Sequence, residues 1–133
     1  MMTRIAPFVA LTLAAVSPAV AAPLTVPAGT SWIFSLERGD PVRARQVKAT
    51  AKPLRGQIKV TLIAGMGTAM TVTNNSAVAY TFRAEPVGAP PAAKSRTCTL
   101  PANGIPVLEY WPVKAKAVRI SGFKPAGADG SCP

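Results

Sequence analysis

The chain has 133 residues, 15 of them Lys or Arg against five Asp or Glu, and a formal net charge of +10. It contains no His. That excludes Ser-His, Cys-His and His-metal chemistry, and five dispersed acids leave few carboxylate pairs for acid–base work.

Met1-Met2-Thr3-Arg4 is a short start with one positive charge, and Thr12 is the one polar side chain from Ile5 to Val16. Ser17-Pro18 breaks the apolar run before Ala19-Val20-Ala21. A charged start, an apolar middle and an A-x-A site together predict a cleavable secretory signal peptide over residues 1–21, cut after Ala21. A membrane span needs about 20 apolar residues, and Ile5 to Leu24 reaches that only by including Ser17, Pro18 and Pro23. No Cys near the cut offers a lipid anchor, and a single Arg does not make a twin-arginine signal. No later segment is long and apolar enough to span a bilayer as a helix. The expectation is one domain over residues 22–133, periplasmic or secreted.

The fourteen prolines are spread along the chain, which punishes long helices and suits short strands. Ser31 to Leu36 is the first predicted strand. Val42 to Ala51 is ambiguous, since its Ala, Arg, Gln and Lys suit a helix while Val47 to Ala51 alternates. In Gln57 to Ala64, Ile58, Val60, Leu62 and Ala64 share one face, with Gln57, Lys59 and Thr61 on the other. Thr68 to Thr73 and Ala77 to Ala84 read as a hairpin around the turn signal Asn74-Asn75-Ser76. Asn74 also opens a formal glycosylation acceptor, and the turn is the preferred reading.

Glu85 to Ser95 is the one long loop rich in Pro and Gly. Arg96 to Leu100 is a short strand carrying Cys98. Ile105 to Trp111, interrupted by Pro106, reads as an edge strand. Ala115 to Phe123 closes the pattern, with Val118 and Ile120 inward and Arg119 and Ser121 outward. Seven or eight short strands predict an all-β fold, a small antiparallel β-sandwich of immunoglobulin-like type, with a closed β-barrel as second choice. The Cys-Trp-Cys order of true immunoglobulin domains is absent, because Trp111 and Cys132 both follow Cys98. The likeness is architectural and carries no function.

In an exported chain the two cysteines, Cys98 and Cys132, are expected to form one disulfide that pins the tail. Loop closure makes such a bridge worth roughly 3–4 kcal/mol. Two Cys without His cannot fill a structural zinc site. Met66 and Met70 form a thin copper(I) pair at best, and Met70 reads as core with Met66 on a turn. Glu37 and Asp40 flank Arg38-Gly39 and read as a polar turn. No catalytic residue, metal site or cofactor is assigned, and the chain is read as not an enzyme.

The basic charge is the strongest functional signal. Arg43, Arg45, Lys48, Lys52, Arg55 and Lys59 follow one another with no acid between them. A second group is Lys114, Lys116, Arg119 and Lys124. Such surfaces attract polyanions by field and counterion release. Export and the lack of aromatics interleaved with the first run argue against nucleic acid. Of Tyr110-Trp111, adjacent on a strand, one ring faces out, and Trp111 is taken as the candidate exposed aromatic. The sequence therefore predicts a small cationic, non-catalytic binding or envelope-associated protein whose partner is an anionic envelope component or an acidic protein. Two variants are a module for acidic glycan or lipopolysaccharide, and an assembly protein pairing through an exposed strand edge.

Overall fold

The structure is a computed structural model that describes residues 22–90 and 96–126. The expected signal peptide, part of the long loop, and the tail with Cys132 lie outside the described residues. Among the described residues the strands are β1 Leu24–Pro27, β2 Ser31–Glu37, β3 Asp40–Val47, β4 Gln57–Ala64, β5 Thr68–Asn75, β6 Tyr80–Val87, β7 Arg96–Leu100, β8 Val107–Trp111 and β9 Ala117–Pro125. They make two antiparallel sheets, ordered β1-β9-β6-β7 and β3-β2-β4-β5-β8. The sheets are not closed into a barrel, so the architecture is the β-sandwich.

Period-2 patterning builds the layers. On β4, Ile58, Val60 and Leu62 are buried, and on β5, Met70 and Val72 meet Leu62 and Val60 across the ladder. Phe82, Ala84, Leu100, Val118, Ile120 and Val26 cover them from the other sheet. Three departures from the sequence reading have physical causes. The expected hairpin of Thr68–Thr73 with Ala77–Ala84 does not form: β5 pairs with β4 and β8, whereas β6 pairs with β7 and β9. The segment between β5 and β6 crosses from one sheet to the other instead. The ambiguous run at Val42 becomes edge strand β3, its pairing to β2 overriding its helical composition. β1 is an additional strand, too short to show alternation, held by register with Ala117 to Ile120 of β9.

The sheets meet on Phe123. Its ring stacks on Phe82 at 5.2 Å, tilts against Phe34 of the facing sheet at 5.7 Å and meets the edge of Tyr80 at 6.5 Å. A register shift lets Phe82 oppose both Gly122 and Phe123, with Gly122 at φ 65°. That bulge turns Phe123 inward where strict alternation from Ile120 would turn it out. The β2–β3 hairpin closes on Phe123 as well. Arg38 and Gly39 both have positive φ, as a type I′ turn requires, and a Cβ on Gly39 would stand 2.4 Å from the Phe123 carbonyl oxygen.

Asn74 is fully buried, not a glycan acceptor in the folded domain. Its Nδ2 donates to the carbonyls of Val78 at 2.7 Å and Pro101 at 3.3 Å, and its backbone carbonyl accepts from Gly104 N at 2.8 Å. It ties the sheet crossing to the turn that leads into β8.

Phe123→Ala should cost about 3–5 kcal/mol, as truncation of a buried aromatic does. Asn74→Ala should cost about 1–3 kcal/mol by removing its hydrogen bonds to the Val78 and Pro101 carbonyls. Urea unfolding followed by far-UV dichroism checks both.

Candidate anion-binding face

Directly opposed residues on neighbouring strands share a face, so the registers map the outer side of the five-stranded sheet. One row is Arg45, Ile33, Lys59, Thr73. The next is Val47, Ser31, Thr61, Thr71, Leu108. A third is Ile63, Ala69, Tyr110. The face passes from cations through hydroxyls, where Ser31 and Thr61 share a 2.9 Å hydrogen bond, to apolar and aromatic side chains.

Ile33 is 1% exposed although it lies on this outer face, and it is not part of the core cluster between the sheets. The β3–β4 connection, residues 48–56, runs over this side of the sheet. Lys59 Nζ donates to the Ala49 carbonyl. Asn75 Nδ2 donates to the Pro53 carbonyl at 2.9 Å, and Gly56 N to the Asn75 carbonyl at 2.6 Å. Leu54 N donates to Gln57 Oε1 at 2.9 Å. The connection is therefore a strap across the sheet, and Lys48, Lys52 and Arg55 are exposed along it.

The structure thus brings Arg45 and Lys59 of the sheet together with Lys48, Lys52 and Arg55 of the strap. Arg43 stands apart from that row, at φ 52° where β3 bulges opposite Phe34. Among the described residues, no carboxylate lies within ion-pairing distance of these six cations; the recorded ion pair is Arg83 with Glu85 at 2.8 Å on the other sheet. Glu37 and Asp40 face each other at the hairpin tip beyond the row. Like charges gathered without counter-charges are unused attraction for an anion. Beside the strap, Arg55, Asn75, Ser76, Ala77 and Asn103 line an open hollow of about 280 Å3.

The second basic group does not assemble. Lys114 and Lys116 lie on the β8–β9 connection, while Arg119 and Lys124 are exposed on β9 in the other sheet. Cys98 lies on β7, and the expected disulfide partner Cys132 is outside the described residues. Among the described residues there is no group of three or more His, Cys, Asp or Glu able to hold a metal.

Trp111 is corrected. It is 2% exposed, in line with buried Thr68 on the inner face, and it belongs to the core. Tyr110 is the exposed ring, at 52%. Pro106 obscured the parity of this strand. The structure starts β8 at Val107 and turns Val107, Glu109 and Trp111 inward, Leu108 and Tyr110 outward. The exposed apolar group of Ile63, Leu108 and Tyr110 was not anticipated, although the alternation read on β4 already placed Ile63 opposite to Leu62.

The chain matches no family model, no curated protein and no solved structure. Trp111→Ala should therefore cost about 3–5 kcal/mol, as for a core aromatic, and Tyr110→Ala less than about 1 kcal/mol. Thermal unfolding of the two variants side by side tests the assignment.

Proposed function

We propose that the protein is an exported, non-catalytic binding module that holds an anionic component of the cell envelope on the cationic end of this face. The observation that carries the reading is the row of Arg45 and Lys59 beneath a strap bearing Lys48, Lys52 and Arg55, without a neighbouring carboxylate among the described residues. Signal-peptide export places the protein among phosphorylated lipopolysaccharide and acidic glycans. The hollow beside Arg55 suits one charged sugar, since a guanidinium, two amides and a hydroxyl match carboxylate or phosphate oxygens. The lining contains no acid to serve as a catalytic base. A disulfide between Cys98 and Cys132 would hold the tail to β7.

A second reading has one observation behind it. β8 ends the five-stranded sheet, so its far side is an unpaired edge among the described residues. Edge pairing between copies would have to overcome the mutual repulsion of strongly cationic chains, which places it second.

Titration of the mature, oxidised protein with polygalacturonate and with lipopolysaccharide tests the first reading. Binding should fall at least about tenfold between 50 and 500 mM salt, as screening of an exposed cationic face requires. The triple reversal Arg45→Glu, Lys48→Glu, Lys52→Glu should abolish binding, while Lys124→Glu on the other sheet should leave it within about twofold. Binding indifferent to both salt and reversal overturns the reading. A concentration-dependent dimer lost in Leu108→Lys would favour the edge.

A further inference from the structure

The outer face does not end at its cations. Beyond Thr61 and Thr71 it becomes apolar, with Ile63 on β4 and Leu108 and Tyr110 on β8 exposed on either side of β5. The β4–β5 turn extends this group with Met66, 96% exposed between Gly65 and Gly67. The turn is built rather than loose. Gly65 N donates to the Gly67 carbonyl at 3.0 Å. A Cβ on Gly67 would stand 2.7 Å from the Tyr110 hydroxyl, so the missing side chain is what lets the Tyr110 ring lie over the turn. Thr68 Oγ1 donates to the Val113 carbonyl and accepts from Ala115 N, both at 2.9 Å, which brings exposed Lys114 to the same end of the sandwich.

We propose that this apolar end, together with the cations at the opposite end, seats the five-stranded sheet on an anionic phospholipid surface. The proposal rests on the reading above that the partner is anionic, and it names a lipid surface as that partner. Lys59 and Ile63 are four residues apart on β4, about 13 Å along an extended strand. One flat partner spanning both ends must therefore offer negative charge and an apolar layer at close range. A leaflet of anionic lipid does so, with headgroup phosphates for Arg45, Lys48, Lys52 and Lys59 and the acyl boundary for Met66, Ile63 and Leu108. Tyr110 has the form favoured at that boundary, an apolar ring with a polar tip. Charge separates this occupant from a second copy of the chain, because two strongly cationic chains repel each other, whereas anionic lipid attracts each of them.

The test uses the mature, oxidised protein and sedimentation with vesicles of phosphatidylethanolamine and phosphatidylglycerol at about 7:3, against vesicles of phosphatidylethanolamine and phosphatidylcholine, with polygalacturonate binding measured in parallel. Wild type should bind the anionic vesicles and not the neutral ones. The neutral triple variant Ile63→Ser, Met66→Ser, Leu108→Ser alters exposed side chains only and should keep the wild-type melting temperature. It should lose vesicle binding at least about tenfold, the scale of removing three inserted apolar groups, while keeping polygalacturonate binding. If wild type binds polygalacturonate but not anionic vesicles, or the variant binds vesicles within about twofold of wild type, the lipid proposal is wrong and the polyanion reading stands. If wild type binds neither, both fail. A wild-type dimer that the triple substitution makes monomeric would give the face to a second copy and overturn the lipid assignment.

Discussion

The alternation of β4 is the constraint from which the rest of the structure follows. A strand with a side-chain period of two cannot bury one face without committing the other. Ile58, Val60 and Leu62 must enter the core between the sheets, and their burial forces Lys59, Thr61 and Ile63 to the outside in that order. The graded outer face, cationic to hydroxylic to apolar, is thus written into the strand that contributes most centrally to the core. Shifting the register by one residue would exchange Lys59 for Val60, at the cost of an uncompensated buried charge.

The strap converts that alternation into a concentrated field. Residues 48–56 are held over the outer face, beside buried Ile33, by hydrogen bonds from Lys59 and Asn75. The same fold carries three further cations onto the face. Each is separated from its neighbours mostly by Ala, Thr and Pro, which supply no competing carboxylate.

Much of this was legible beforehand. Gln57 to Leu62 alternates, and Ala115 to Phe123 shows its inward Val118 and Ile120, so both strands and their faces could be read directly. The basic run was visible as composition, but not its division into a sheet row, a strap and an isolated Arg43. That division depends on the pairing of β2 with both β3 and β4, which is long-range. The β5–β6 hairpin was misread because Asn74-Asn75-Ser76 has turn chemistry whether the chain folds back or crosses to the other sheet. Only the burial of Asn74 between Val78 and Pro101 decides that. Trp111 was misassigned for a related reason. With Pro106 interrupting the segment, the parity of Tyr110-Trp111 is set by register with Thr68 and Ala69, not by local pattern. The inward turn of Phe123 likewise needs the Gly122 bulge, invisible to a strict count of two.

The central claim is that an anion binds the outer face of the five-stranded sheet at its cationic end. The most direct measurement is a 1H–15N correlation spectrum of the protein during titration with lipopolysaccharide below its aggregation threshold. The account predicts that shifts concentrate at Arg45, Lys59 and residues 48–56, with the outer face of β6 and β9 unmoved. Shifts centred on β9, or spread evenly over every surface Lys and Arg, would contradict it.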